Sequence, residues 1–453
     1  MTRHQSLSIS DLESSDDNLP VVVDHLRHWQ DLRATEEQYE QELKGKEETL
    51  GPKHMSTLRT VNNFGNFYAD HAMTGKAMDM YLRALQGYRE ALGPNHLSTL
   101  DTLNNIGLLF AEQGWLREAG DVLLRALQAY EATLGPYHTS TLRVVNNIGL
   151  VNRDQGKTSE TKEYLVRALR GYEQILGPKH TSTLDVVNNI GLLNRDRGEV
   201  KQARMKLSQA RKGYEEALGP DHILTLRGMN NVSVLDSEQG NPEGAKENLL
   251  YVLERYTETL GPKHVLTLEI MNNIGVLCLE QNSLEDAEGW LLRVLEGKIE
   301  VLGVHHISTL GTSSNVGNLY SSQGRLEEAK DVLSRVLKAY EETCGPNHIS
   351  TSRISYNLGI VHAKQGKPKE AGPMFMRALN GYQEVWGREH TLTLDIVLSL
   401  GDLYRDGDDA SKAIEMYTWA VAGYKDAEGD YTEDIRYLHE QLSLLVGSRM
   451  TTP

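Results

Sequence analysis

Residues 93–134 read GPNHLSTLDTLNNIGLLFAEQGWLREAGDVLLRALQAYEATL, and the same text keeps returning along the chain. Its opening glycine recurs at Gly51, Gly135, Gly177, Gly219, Gly261, Gly303, Gly345 and Gly387, at intervals of 42 residues with no insertion or deletion. Gly429 opens a truncated further copy. A fixed period of this size marks a solenoid, whose unit is one supersecondary element that buries its apolar face only by stacking on its neighbours.

Within the unit, Leu100, Leu103, Ile106, Gly107 and Phe110 are spaced by three and four residues, the pattern of one helical face. A break follows at Gln113-Gly114, and a second face runs through Ala119, Leu123, Ala126, Leu127, Tyr130 and Leu134. The unit is thus a helix A, a tight turn, a helix B and a Gly-Pro linker. The turn residue is Gly114, Gly156, Gly198, Gly240, Gly324 or Gly366, but Asn282 in the sixth copy. Both residue types tolerate the left-handed conformation that ends a helix. Asn241-Pro242-Glu243 reads as a cap, a first helical position and an acidic first turn. Gly65, Gly107, Gly149, Gly191, Gly275, Gly317, Gly359 and Gly401 lie inside helix A, where each costs about 1 kcal/mol against Ala. Close approach to the alanines of helix B is the expected reason.

These residues resemble a tetratricopeptide repeat of the long, 42-residue type found in kinesin light chains. The resemblance is carried by the Asn-Asn before the helix A glycine, the Gln-Gly turn, the Glu-Ala opening helix B, the Arg-Ala-Leu and the Leu-Gly-Pro-x-His linker. Arg83-Ala84-Leu85-Gln86-Gly87-Tyr88 followed by Leu92-Gly93-Pro94 is similar to repeats of fungal proteins, where such arrays often follow a nucleotide-binding switch domain. The resemblance implies an all-α fold, a right-handed α-α superhelix of nine helix-turn-helix repeats with N- and C-terminal caps. One repeat fold serves many partners, so it says less about function.

Around the repeats at 51–428 the sequence suggests an acidic, Ser-rich disordered tail at 1–19 and a helical cap at 20–50 made of two stretches. A capping helix at 429–447 and a short tail at 448–453 complete the reading. Pro373 falls well inside a helix B and should bend it. Cys278 and Cys344 sit in different copies without CxxC spacing, which suits a reducing compartment. No run of apolar residues is long enough for a membrane span or a signal peptide, so a cytoplasmic (or nuclear) location is expected. A net charge of −16 argues against nucleic acid or an anionic membrane as partner.

No phosphate-binding loop, metalloprotease motif or nucleophile elbow occurs, and acids and bases are spread evenly rather than gathered. The expectation is a non-enzymatic chain without cofactor. Linker His54, His96, His138, His180, His222, His264, His306, His348 and His390 invite a metal. Zinc needs ligand nitrogens at about 2 Å, whereas stacked helices lie roughly 8–10 Å apart. A junction role, bonding loop backbone at the start of helix A, is expected instead. Tyr88, Tyr130, Tyr172, Tyr214, Tyr256, Tyr340, Tyr382 and Tyr424 recur late in helix B, where packing with the hydroxyl pointing outward is expected.

The resemblance implies that helix A lines the concave surface and that the second Asn of each pair projects into it. These are Asn63, Asn105, Asn147, Asn189, Asn231, Asn273, Asn315 and Asn357. Side-chain amides offer donors and an acceptor, so a row of them can hold an extended peptide through its backbone. The alternative is that the Asn residues bond neighbouring helices and satisfy each other. One turn on, Leu108, Leu150, Leu192 and Val234 would make an apolar stripe for hydrophobic ligand side chains. Another turn on, Asp70, Glu112, Asp154, Asp196, Glu238 and Glu280 form an acidic row that favours Lys or Arg on a ligand. Arg353, Asn357 and Lys364 resemble a clamp for a terminal carboxylate. Four residues before the second Asn, Arg59, Asp101, Arg143, Asp185, Arg227 and Glu269 alternate in sign, which suits ion pairs between neighbouring copies. The expected partner is therefore a protein or peptide with basic and apolar side chains. A sensor array working with a nucleotide-switch (NB-ARC- or NACHT-like) signalling protein and a kinesin-light-chain-like cargo adaptor stand as alternatives.

Overall fold

The computed structural model describes residues 19–71, 73–346, 348–426 and 431–451. Among the described residues there are twenty helices and no strand. After α1 (Leu19–Leu50) come nine pairs of a 16-residue helix A and a longer helix B. They are α2 (Met55–Asp70) with α3 (Thr74–Leu92), α4 (Leu97–Glu112) with α5 (Leu116–Leu134), and α6 (Thr139–Asp154) with α7 (Thr158–Leu176). Then follow α8 (Thr181–Asp196) with α9 (Val200–Leu218), α10 (Ile223–Glu238) with α11 (Pro242–Leu260), and α12 (Val265–Glu280) with α13 (Leu284–Leu302). The last pairs are α14 (Ile307–Ser322) with α15 (Leu326–Cys344), α16 (Ile349–Lys364) with α17 (Pro368–Trp386), and α18 (Thr391–Asp406) with α19 (Ala410–Asp426). The chain ends in α20 (Thr432–Thr451). Consecutive repeats build a solenoid, and the acidic tail read from the sequence lies, Leu19 apart, outside the described residues.

Every linker is built the same way. His54, His96, His138, His180, His222, His264, His306, His348 and His390 each accept, through Nδ1, the backbone N–H two residues on, at 3.1–3.3 Å. The imidazole is thus the N-cap of every helix A, which the sequence reading anticipated as a backbone-bonding junction role. A further element escaped that reading. The buried Thr141, three residues into helix A, donates its hydroxyl to the linker carbonyl of Gly135 at 2.9 Å. Thr183 to Gly177, Thr225 to Gly219 and Thr351 to Gly345 repeat this bond at 2.8 Å.

The two kinds of recurring glycine differ in backbone. Turn residues have φ near that of a left-handed helix, +58° at Asn282 and +72° at Gly198. The linker residue Gly219 stands at φ +90°, ψ 169°, a region that side chains exclude. That contrast explains why Asn replaces a turn glycine and never a linker glycine.

The chain divides into two compact units, Met1–Thr102 and Leu103–Pro453, with the boundary inside α4. In the first, α1 is one continuous helix rather than the two stretches expected, since Pro20 lies in its first turn and nothing between breaks it. Its Tyr39 stacks on Phe64 of α2 at 5.1 Å, and Phe64 on Tyr68 at 4.3 Å. Glu36 accepts from Tyr68 at 2.9 Å and Lys76 at 2.6 Å.

In the second unit each helix A glycine meets a large residue of helix B, not the alanine expected. A Cβ on Gly107 would lie 2.7 Å from Leu123 Cγ, and one on Gly191 2.7 Å from Leu207 Cδ2. The exchange is mutual: Leu142 and Leu184 of helix A press onto Gly171 and Gly213 of helix B. α17 continues through Pro373 as one helix. α20 runs to Thr451, past the boundary read at 447, and its buried Leu438 joins the cluster of Tyr417, Ala420 and Tyr424 on α19.

The second unit also touches itself at long range. His348 Nε2 lies 3.1 Å from the carbonyl oxygen of Asp154, and His390 Nε2 2.8 Å from that of Asp196. Both pairs are 194 residues apart, five repeats less one helix A.

Candidate functional site

The candidate site is the strip along which successive helices A lie side by side. From Asn147 onward its second asparagines do not stand free. The amide of Asn147 donates to Asn104 Oδ1 at 2.9 Å, and Asn189 to Asn146 at 3.0 Å. Asn231 to Asn188 and Asn273 to Asn230 follow at 2.9 Å, and Asn315 to Asn272 at 3.2 Å. Ser314 replaces the first Asn of its pair, and Asn357 reaches it at 3.4 Å. At these positions each amide spends one donor on the neighbouring repeat, as the alternative reading expects, and keeps a second. Asn147 is buried, Asn105 and the later members half-buried, and Asn63 in the first unit exposed.

Leu108, Leu150, Leu192 and Val234 are half-buried, with Leu192 packed on Ala203, Leu207 and Leu235. Arg353 and Lys364 do not converge as a carboxylate clamp. Eleven residues of α16 separate them, about 16 Å along the axis. Lys364 instead donates to the backbone and hydroxyl oxygens of Ser321 at 3.4 and 3.3 Å, and Arg353 is exposed.

The acidic row carries cations of its own. Arg153 Nε lies 2.5 Å from Asp196 Oδ2, and Arg195 3.5 Å from its other oxygen. Ser237 donates to Glu280 at 2.9 Å. Asp154 and Glu238 reach solvent, yet the surrounding walls strip enough water to push both carboxyls above the ordinary range. Arg153 partly offsets this at Asp154, and Arg195 at Glu238. Of the alternating charges, Arg227 pairs with Asp185 at 2.8 Å.

The helix B tyrosines point inward, contrary to expectation. Tyr172 and Tyr256 donate to the carbonyls of Thr139 and Ile223 at 3.2 Å, and burial lifts both phenols to about 12. Where helix A offers an acid, the hydroxyl takes it: Tyr214 donates to Asp185 at 2.6 Å and Tyr424 to Asp395 at 2.7 Å. Tyr172, Tyr214, Tyr256, Tyr340 and Tyr424 each tie their own helix A to helix B, because a buried hydroxyl must find a partner. The sixth copy has Lys298 at this place, 3% exposed. The gap in the tyrosine series was the visible signal for it. Among the described residues no helix is long and apolar enough to cross a membrane, and no cluster of three His, Cys, Asp or Glu is arranged for a metal.

The tetratricopeptide repeat family model matches residues 74–132, 140–216, 182–250, 238–300, 308–384 and 354–426. No curated protein matches the chain. Among solved structures, a putative kinesin light chain of Podosopora anserina with nearly identical TPR-like repeats is 20% identical and covers 45% of this chain and 97% of its own, at a TM-score of 0.36. BtubC (BKLC) from P. vanneervenii is 19% identical, covers 52% and 92%, and has a TM-score of 0.37. A Rap protein complexed with competence and sporulation factor is 12% identical, covers 77% and 98%, and reaches a TM-score of 0.52, a likeness of fold.

Proposed function

The chain belongs to the tetratricopeptide repeat family, and from that premise we propose that it is a non-enzymatic protein-interaction scaffold that holds a segment of a partner along the helix A strip. The observation that carries the reading is the row of carboxylates in which Asp154 and Glu238 reach solvent and are still pushed upward by the water their surroundings remove. Both lie in line with the half-buried Leu150 and Val234 and the amide ladder. A carboxylate short of water is stabilised by an incoming cation, and a half-buried apolar residue beside it by an apolar side chain. A partner segment with Lys or Arg among apolar residues meets both needs. The asparagines act as the frame of the strip, with their remaining amide hydrogens turned to the ligand backbone.

Because the ladder amides hold repeats together, changing them would confuse binding with folding. The test therefore uses Asp154→Asn with Glu238→Gln, which keep shape and remove charge. Proteins captured by parent and variant from the same extract are identified and compared at low and moderate salt. The expected result is a salt-sensitive partner that the variant recovers at least several-fold less well. Undiminished recovery by a folded variant would overturn the strip as the binding face. A nucleotide-switch protein among the partners would assign the chain to a sensor array, and a motor subunit to cargo attachment.

A further inference from the structure

The linker imidazoles share one bond and divide on another. All nine accept with Nδ1, which places the proton of the neutral ring on Nε2. At His348 and His390 that second nitrogen donates to Asp154 O and Asp196 O. These carbonyls belong to the last residues of α6 and α8, where intrahelical partners run out. One ring therefore caps the start of α16 and the end of α6, and another the start of α18 and the end of α8.

Shape agrees with the hydrogen bonds. A Cβ on Gly156, in the turn after α6, would lie 2.6 Å from Val385 Cγ1 at the end of α17. One on Gly114 would lie 3.0 Å from Cys344 Sγ and 3.1 Å from Ile307. Gly198, in the turn after α8, has nothing within 4 Å, and neither have Gly240, Gly324 and Gly366, so the close approach is confined to the turns after α4 and α6. Beside these contacts an open cleft of about 950 Å³ is lined by Phe110, Trp115, Lys157, Glu342 and His348, so the faces touch at points rather than along a packed interface.

We propose that His348 and His390 latch successive turns of the solenoid to each other, and that protonating the two rings releases the seam. Protonation favours the Nε2–H bond to a carbonyl at the end of α6 or α8, but it also puts a hydrogen on Nδ1 that opposes the N–H of Ser350 or Leu392 and a charge at the positive end of the helix that follows. The ring must turn, and Nε2 leaves the carbonyl with it. Burial holds both imidazoles below the ordinary histidine range, so the latch is closed at neutral pH. The surroundings contain both signs. Arg353 on the same helix, Asp154 on α6, Lys157 before α7, Glu342 on α15, and Arg117, Glu118 and Asp121 on α5 surround His348 and its cleft. Asp196 and Arg197 face His390, which also stacks on Trp386 at 5.0 Å. The latch stands on these contacts alone. Its consequence, that the seam sets how widely the helix A strip opens, rests on the strip being the binding face.

Asparagine separates the two bonds of each ring. It is a strong N-cap, so His348→Asn with His390→Asn keeps both helix starts, but it is too short to reach the distant carbonyl. Spin labels at Lys157→Cys and Glu342→Cys, with Cys344→Ser in all chains, report the distance across the cleft by pulsed electron resonance. At pH near 7.5 the parent should give a short, narrow distance, and the double Asn variant a longer and broader one with unchanged helicity. His222→Asn, which alters a cap with no seam contact shown, should match the parent. As the pH is lowered stepwise below the ordinary histidine range, to the acid limit at which helicity is kept, the parent should move to the variant's distance while the variant stays put. An unchanged distance in the double variant, or a parent indifferent to pH, would overturn the latch. Neither readout involves a partner, so failure of the latch is distinct from failure of the scaffold reading.

Discussion

Lys298 shows what one residue can cost in a regular array. It replaces the helix B tyrosine, and its amine finds only the Ser308 carbonyl at 3.5 Å, with Glu269 nearby. Burial pushes the ammonium down to about 8, and Glu269 draws it partway back. An unfolded lysine titrates near 10.4. Between those values the unfolded chain holds a proton that the folded chain lacks, so stability rises with pH there and the charged form is a burden below it. Lys298→Met should therefore stabilise the protein at pH 7 by roughly 2–3 kcal/mol, with the advantage shrinking from about pH 8 toward 10. Denaturant midpoints of both chains across that range measure it, and a variant weaker than the parent at pH 7 would refute it. At this scale the sequence was half legible. The recurring His and Tyr announced themselves by position, and the capping role of the imidazole followed from its place before helix A. The direction of the tyrosine hydroxyl did not, because it depends on which atom of helix A lies opposite, carboxylate or backbone carbonyl.

Elements are where the reading was most complete, because helix, turn and linker are each written locally. What a list of glycines conceals is that they serve different ends. Gly198→Asn, at φ +72°, should cost little more than the turn pays at Asn282, within about 1 kcal/mol. Gly219→Asn, at φ +90° and ψ 169°, should cost about 1–3 kcal/mol. Equal losses at the two sites would remove the distinction. Helical glycines divide as well. Gly191→Ala would set a methyl 2.7 Å from Leu207 Cδ2 and 3.1 Å from the Leu207 backbone nitrogen, and overpacking of about 1–3 kcal/mol outweighs the gain in propensity. Gly289→Ala, inside α13 with nothing within 4 Å, should instead stabilise by about 1 kcal/mol. Thermal unfolding of the two variants should shift in opposite directions. The mutual seating of leucine on glycine was hidden because helix A and helix B carry their glycines at unrelated offsets. Only the packed pair shows that each serves the other's leucine.

For the molecule as a whole, the 42-residue period was legible at once and the seam was not, since contacts 194 residues apart arise from rotation accumulated over five repeats. A second regularity lies between those scales. Signs alternate from copy to copy, Arg143, Asp185, Arg227, Glu269, with Arg227 held 2.8 Å from Asp185, and the tyrosine hydroxyl changes partner in step. Over the first six copies the charge pattern therefore repeats every 84 residues, two copies, although the helical repeat is one. Stability of a solenoid is close to a sum of repeat and interface contributions, and because deletions inside 154–390 also shift the seam, the salt response rather than the absolute stability reads the interface. Removing residues 219–260 rejoins Leu218 to Gly261 and lets Asn273 donate to Asn188, but sets Glu269 against Asp185. Removing 177–260 rejoins Leu176 to Gly261 and sets Glu269 against Arg143. Both chains should be helical. Raising salt from about 0.05 to about 0.5 M should stabilise the single deletion relative to the double one, because screening relieves repulsion in the first and weakens attraction in the second. Parallel salt responses would mean that the alternation has no energetic consequence and that one copy is the whole repeat.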